Sequence, residues 1–202
     1  MFGTQKMSGS LSVVKTTPPR APLAWRLQNT MRWGYVKGWA GYHAAGLFSK
    51  ITNMPVMVGK LEARKFGADG QVVDYGVLGY RVVTTAFVNF VVDQLQTETS
   101  VFGDFKYHDA GVGTTAENVT DTAIETTDGE SRATGTQTEG AANAYQSVGT
   151  IAYTSGKAVT EHGLFNDPTA GTLMDRTVFS AVNVVNGDSI QFTYTITFTA
   201  GS

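Results

Sequence analysis

The fold is decided by Ser189-Ile190-Gln191-Phe192-Thr193-Tyr194-Thr195-Ile196-Thr197-Phe198-Thr199, near the C-terminus of a 202-residue chain. Large apolar side chains alternate here with polar ones, and this period of two places the apolar set on one face of a β-strand. The other face is rich in threonine, which suits either solvent or a subunit contact. The stretch therefore predicts a strand of an antiparallel sheet with one buried face.

Turn signals extend this pattern towards the N-terminus. Asn186-Gly187 tolerates the positive φ of a type I′ turn and predicts a hairpin between Val182–Val185 and the last strand. Ala68-Asp69-Gly70 predicts a second hairpin, between strands at 56–66 and 71–78. Further Gly, Asn and Asp turns separate short segments between 111 and 171. We therefore expect a mainly β protein with an antiparallel β-sandwich or jelly-roll-like domain.

Two segments depart from this β pattern. Residues 82–96 carry an apolar stripe at helical spacing, which predicts about one helix. Residues 16–22 contain Pro18, Pro19 and Pro22, which favour extended chain. The predicted organisation is an extended, basic and aromatic-rich N-terminal arm at 1–50, followed by a β-rich domain at 51–202.

Charge is distributed unevenly along the chain. The net charge is −2, but residues 1–67 hold ten bases against the single acid Glu62, giving +9. Residues 68–202 hold five bases against sixteen acids, giving −11. Such asymmetry indicates an interaction segment whose counterpart is acidic.

All three tryptophans lie in the basic segment, interleaved with Arg and Lys. Trp, Tyr and Arg are enriched at protein interface hot spots, and they also stack on and neutralise single-stranded nucleic acid. The tryptophans could also belong to the protein's own core, with the charged ends of the neighbouring Arg and Lys side chains exposed to solvent. A protein-binding anchor is the preferred interpretation, and its predicted residues are Arg20, Trp25, Arg26, Arg32, Trp33, Tyr35, Lys37 and Trp39.

Candidate chemistry is sparse. Arg176 lies in an apolar strand and predicts a structural ion pair with Glu161 across the sheet. His108 and His162 have acidic neighbours in sequence, but adjacent strand residues point to opposite faces, so neither dipeptide is a catalytic pair or a chelate. The chain has no cysteine and no Gly-x-Ser-x-Gly elbow. The sequence predicts no catalytic residues, no metal site, no cofactor and no enzymatic activity.

The C-terminal half carries a resemblance. The motifs are 105–117 (FKYHDAGVGTTAE), 132–140 (RATGTQTEG), 159–165 (VTEHGLF) and 171–179 (GTLMDRTVF), followed by the threonine-rich last strand. Together they resemble a β module of tailed-bacteriophage virion structural proteins and cover roughly residues 102–202. Some members of this group look like capsid decoration (cement) proteins, and others look like tail or fibre components.

The resemblance implies a structural role in a virion. The expected function is a decoration protein on the capsid exterior, made in the host cytoplasm, that ties neighbouring subunits of the major capsid protein together. Its expected partners are an acidic surface of that protein and copies of itself, as a trimer; nucleic acid and membrane are not expected partners. The alternatives are a tail, fibre or head–tail junction protein, or a single-strand nucleic-acid-binding protein using Trp25, Trp33 and Trp39.

Overall fold

The computed structural model describes residues 17–52, 54–96 and 105–200. Helices α1 and α2 come first, a β-hairpin and helix α3 follow, and the remaining strands complete the chain. The elements are α1 Leu23–Thr30, α2 Trp33–Thr52, β1 Val56–Phe66, β2 Val72–Val83, α3 Thr85–Gln96, β3 Tyr107–Gly111, β4 Ala133–Thr134, β5 Thr136–Ala141, β6 Ala144–Ala152, β7 Lys157–Phe165, β8 Leu173–Val184 and β9 Ser189–Thr199.

The strands form two antiparallel sheets that pack as a β-sandwich, which confirms the predicted mainly β class. One sheet has the order β2-β1-β9-β6-β5, and the other has the order β2-β8-β7-β3-β4. Strand β2 belongs to both, because its last residues pair with Asp175 and Arg176 of β8. On the opposite side, Gly135 alone separates β4 from β5, so the chain again passes from one sheet to the other. The predicted β1–β2 hairpin and helix α3 are both present.

Strand β9 has the predicted alternation and lies inside its sheet, between β1 and β6. Ile190, Phe192, Tyr194 and Ile196 are buried, whereas the intervening polar residues are partly exposed. Phe198, at the end of the apolar stripe, is about half exposed. Leu61, Phe179 and Val182 complete the main core with Ile190 and Phe192, so the core lies between the two sheets.

The predicted β8–β9 hairpin is wrong, although its turn residues were identified correctly. Gly187 has the expected positive φ, but β8 pairs with β7 and β2 while β9 pairs with β1 and β6. The connection is an arch between sheets, because the apolar faces of β8 and β9 bury against each other across the core. Asp188 fixes this arch by accepting hydrogen bonds from the backbone N–H groups of Val185 and Ala68. Lys65 Nζ forms an ion pair with the same carboxylate at 2.7 Å.

The predicted extended arm is also wrong over most of its described length, since Leu23–Thr30 and Trp33–Thr52 form helices α1 and α2. Residues 1–16 of that arm lie outside the described residues. Four glycines within α2 each lower helix propensity by about 1 kcal/mol, which hid the helix in the sequence. Packing compensates at Gly38, where a Cβ would stand 2.8 Å from the carbonyl oxygen of Tyr80. The helices therefore lie against the β domain, and the described structure has three helices where about one was expected.

Candidate binding site

The predicted anchor residues fall into two groups, and the first faces the protein. The Trp25 indole N–H donates to the carbonyl oxygens of Ser180 and Ala181, at 3.2 and 2.8 Å. Its ring packs edge-on against Tyr75, with centroids 4.7 Å apart. Arg32 Nη1 donates to the Phe179 carbonyl oxygen at 3.1 Å. Trp25 and Arg32 thus attach α1 and the start of α2 to β8, as the core interpretation of the tryptophans predicted.

Asn29, which the sequence did not single out, joins α1 to both neighbouring strands. Its side-chain Nδ2 donates to the Leu78 carbonyl oxygen at 2.8 Å, and its Oδ1 accepts from the Ser180 N–H at 2.9 Å. Only 1% of the residue is exposed. No local signal marked it, because Asn29 lies in the last turn of α1, where asparagine is common near helix ends, and both of its partners are distant in sequence.

We expect Asn29→Ala to lower the free energy of unfolding by about 1–3 kcal/mol, because it leaves two buried backbone groups without a partner. Urea denaturation of the variant and the wild type measures the loss. Thr30→Ala is the matched control on the same helix, since the Thr30 hydroxyl is exposed and bonds only within α1. Equal stability of the two variants would contradict the attachment of α1 through Asn29.

The second group of predicted anchor residues faces solvent. Trp33 is 71% exposed and Trp39 is 50% exposed, and the ammonium of Lys37 lies 6.0 Å from the centroid of the Trp33 ring. Arg20 and Arg26 are exposed as well. Tyr35 is intermediate: its ring meets Tyr80 at 5.5 Å, and burial followed by the neighbouring Tyr80 raises the pKa of its hydroxyl.

Helix α2 carries its apolar side chains away from the protein. Residues on the sheet side are small or polar and include Gly38, Tyr42, Ala45 and Ser49. On a helix of 3.6 residues per turn, the diametrically opposite side carries another set. We call this set the outer face of α2, and it consists of Trp33, Val36, Ala40, Ala44, Leu47 and Ile51.

The outer face of α2 is large enough to mark an interaction site. Its four large members are between 41% and 74% exposed, and the flanking Trp39 and Phe48 are about half exposed. Six such side chains present on the order of 600 Å² of apolar surface, at the upper end for the largest patch on a typical monomer. Leu23 and Leu27 of α1 and Met31, which caps its C-terminal end, are also exposed and are spaced by four residues. Because aromatic residues also flank this face and four glycines interrupt the helix, no clean helical period marked α2 in the sequence.

The predicted pair Glu161–Arg176 lies at the centre of a buried network. Arg176 Nε donates to Glu161 Oε2 at 2.7 Å, and its two terminal nitrogens reach Asp121 at 3.0 Å and Glu125 at 3.4 Å. The Glu161 carboxylate also accepts three backbone N–H groups, from Gly113, Glu125 and Thr126, at 2.8 to 2.9 Å. Arg176 is 3% exposed and Glu161 is fully buried. This pair therefore holds the loop between β3 and β4 against the sheet.

A second arginine fixes the other side of the same region. Arg132 Nε donates to Asp109 at 2.9 Å, and Nη1 donates to the carbonyl oxygens of Asp167 and Ala170. The guanidinium carbon lies 3.5 Å from the centroid of the Phe165 ring, a cation–π contact. Most of the side chains in these two networks belong to the motifs that carry the phage resemblance.

The two strand histidines form the arrangement closest to a catalytic site. His108 Nε2 lies 2.9 Å from Ser147 Oγ, and His108 Nδ1 lies 3.0 Å from His162 Nε2. Ser147, His108 and His162 thus stand in the same sequence of contacts as the serine, the histidine and the orienting group of a hydrolytic triad. All three side chains are fully buried, however, so the serine oxygen is not accessible to a substrate in this conformation. The three side chains provide hydrogen-bond partners for one another inside the sandwich.

The Asp128 carboxyl is buried, and its surroundings stabilise the ionised form only weakly. It is 4% exposed, and its Oδ1 accepts from the Glu130 N–H at 2.9 Å. Burial raises the pKa of Asp128 to about 6, and the charges of Asp109 and Glu130 act in the same direction. The Glu130 hydrogen bond and the charge of Lys157 oppose this rise. The ionised form therefore destabilises the fold at neutral pH.

We expect Asp128→Asn to stabilise the protein by about 1–2 kcal/mol at pH 7 and to have almost no effect near pH 4. The folded protein keeps the Asp128 proton between the ordinary pKa of 3.8 and about 6, so wild-type stability should fall as pH rises through this window. Urea denaturation at several pH values measures the difference.

Asp167→Asn is the control of opposite sign for the Asp128 experiment. Hydrogen bonds from the backbone N–H groups of Thr169 and Ala170 lower the pKa of the Asp167 carboxyl. Its ionised form therefore stabilises the fold above the ordinary pKa, and this contribution disappears as the pH falls. A constant effect of Asp128→Asn across the pH range would contradict the assignment.

The described residues contain no group of three or more His, Cys, Asp or Glu side chains that could hold a metal ion. None of the helices in the described part of the chain is long and apolar enough to cross a membrane. Comparisons with protein-family models, curated proteins and solved structures give no match.

Proposed function

We propose that this chain is a non-enzymatic structural protein of a tailed-phage virion, a decoration protein that binds across subunits of the major capsid protein. The outer face of α2 carries the proposal. An apolar strip on a helix already packed against its own domain is an interface for another protein. Its aromatic and aliphatic members are of the kind that fill partner pockets, and Trp is among the residues most enriched at hot spots.

The polar interior favours binding over catalysis. In the sites described above, Glu161, Arg176, His108 and Ser147 are each at least 97% buried and serve the fold. A catalytic group must reach its substrate, which these side chains do not in this conformation. The phage-like motifs supply such buried groups, so the resemblance concerns a rigid scaffold on which the binding helices are mounted.

The number of copies per particle tests the proposal and separates it from the tail alternative. Quantitative mass spectrometry of purified virions should find the chain in hundreds of copies, because a shell offers many equivalent positions. About a dozen copies or fewer would instead support a tail, fibre or head–tail junction protein. Absence from the particle would refute both. Sedimentation of the isolated protein would measure whether it forms the proposed trimer.

The nucleic-acid alternative rests on Trp33, Trp39 and Lys37, which are exposed together on α2. Titration with a labelled oligothymidylate should leave tryptophan fluorescence unchanged at low salt if the partner is a protein. Salt-sensitive quenching would favour stacking of bases on these rings. Trp25 does not contribute to such a platform, because its indole N–H and its ring are both engaged within the protein.

A further inference from the structure

A groove lies between α1 and the adjoining ends of strands β1, β2 and β9. Its volume is about 550 Å³, which is in the usual range of roughly 300–1,000 Å³ for ligand sites. Arg20 and Arg26 line one wall, Arg64 of β1 lines another, and Thr193 of β9 contributes a hydroxyl. The N-terminal segment around α1 and the distant strand β1 thus bring three arginines to one concave surface.

These three arginines differ from the arginines that hold the fold. Arg32, Arg132 and Arg176 each donate to acceptors within the protein. Arg20, Arg26 and Arg64 form no side-chain hydrogen bond or ion pair within the described part of the chain. Their donors therefore remain available to a ligand, and a guanidinium fork matches a carboxylate with two parallel hydrogen bonds.

The two carboxylates of the groove are already engaged. Glu62 forms an ion pair with Lys60 at 2.9 Å, and Asp74 Oδ1 accepts from the Gly76 N–H at 2.8 Å. They leave the groove with an excess of positive charge. The Trp25 ring in the wall packs on Tyr75 and is not free to stack on a nucleic-acid base.

We propose that this groove binds an acidic peptide segment of the partner protein, through its Asp or Glu carboxylates. The inference rests on the proposed function and deepens it by naming the chemistry that the partner must present. The outer face of α2 supplies the apolar part of the interface, and the groove recognises the acidic segment beside it. Charge complementarity of this kind selects a partner and speeds association.

The test uses the full-length protein and a fluorescein-labelled hexaglutamate peptide, followed by fluorescence anisotropy at 50 mM and 300 mM salt. We expect binding at the lower salt that weakens at least fivefold at the higher salt, because exposed charges are screened. The double variant Arg26→Gln/Arg64→Gln should bind at least tenfold more weakly. Lys50→Gln, which removes an exposed charge of α2 outside the groove, should change affinity by less than twofold.

Other outcomes would overturn the inference. Equal binding by the double variant and Lys50→Gln would show nonspecific attraction, and absence of hexaglutamate binding would exclude the site. Tighter binding of a labelled six-nucleotide oligothymidylate, lost in the same double variant, would assign the groove to nucleic acid. Unchanged circular dichroism and melting temperature verify that the variants fold, as expected for exposed arginines.

The same variants separate this inference from the proposed function. If wild-type protein is found on virions in hundreds of copies but does not bind hexaglutamate, the groove is refuted and the decoration role stands. If hexaglutamate binds through Arg26 and Arg64 but the chain is absent from particles, the groove stands and the decoration role is refuted.

Discussion

Replacing Arg176 with methionine should lower the free energy of unfolding by about 3–5 kcal/mol, the usual cost of removing one partner of a buried ion pair. The substitution keeps much of the side-chain volume but leaves the fully buried Glu161 carboxylate without its cation. It also releases Asp121 and Glu125, which Arg176 holds at 3.0 and 3.4 Å. Urea denaturation measures the loss.

Lys60→Met is the matched control for Arg176→Met. Lys60 and Glu62 form a surface ion pair, with side chains 29% and 38% exposed. Such pairs contribute about 0–1 kcal/mol, so this variant should remain close to the wild type. A loss below about 1 kcal/mol for Arg176→Met would contradict a central role for the buried network.

The double variant Glu161→Met/Arg176→Met tests whether the two residues act as a unit. Its destabilisation should be smaller than the sum of the two single losses, because the double change leaves neither charge stranded. Some loss should remain, since the Glu161 carboxylate also accepts three backbone N–H groups of the β3–β4 loop. Hydrogen exchange of Gly113 and Thr126 amides should rise in the single variant Glu161→Met.

Local patterns in the sequence predicted a large part of this fold. The alternation in β9, the Asp-Gly turn between β1 and β2, and the helical stripe of α3 are signals that neighbouring residues carry. The pairing of Glu161 with Arg176 could also be predicted, because a charged side chain in an apolar strand is costly to bury unless an opposite charge compensates it. Each of these features depends on short-range periodicity or on a strong electrostatic requirement.

The remaining features depend on contacts between distant segments. Asn186-Gly187 specifies a turn, but whether β8 and β9 pair or separate is decided by burial across the core. Helix α2 contains four glycines, of which Gly38 packs closely on Tyr80, and aromatic residues flank its outer face, so no clean helical period marks it. The groove arginines come from the chain before α1, from α1 itself and from β1, so no local pattern joins Arg64 to Arg20 and Arg26. The predicted anchor residues likewise separate only in the folded structure, where Trp25 packs against the protein and Trp33 is exposed to solvent.

The triple variant Trp33→Gln/Leu47→Gln/Ile51→Gln should weaken attachment to the partner at least a hundredfold, about 3 kcal/mol or more. These side chains are 71%, 62% and 74% exposed, so they contribute little to the protein's own core. Glutamine has good helix propensity, and surface changes of this kind usually alter stability by less than about 0.5 kcal/mol each. The expected variant is therefore folded but deficient in binding.

Particle occupancy measures this loss: virions produced with the triple variant should contain far fewer copies than virions produced with the wild type. Val185→Gln is the control, because Val185 is also apolar, is 59% exposed and lies in the connection between β8 and β9. If the triple variant is retained at wild-type copy number, the outer face of α2 is not the interface with the capsid. If it is lost from particles and the isolated protein also changes from an oligomer to a monomer, the same face joins copies of this chain, and attachment to the shell depends on that assembly. The two outcomes differ physically in what buries the apolar strip, and sedimentation of the isolated protein distinguishes them before any particle is made.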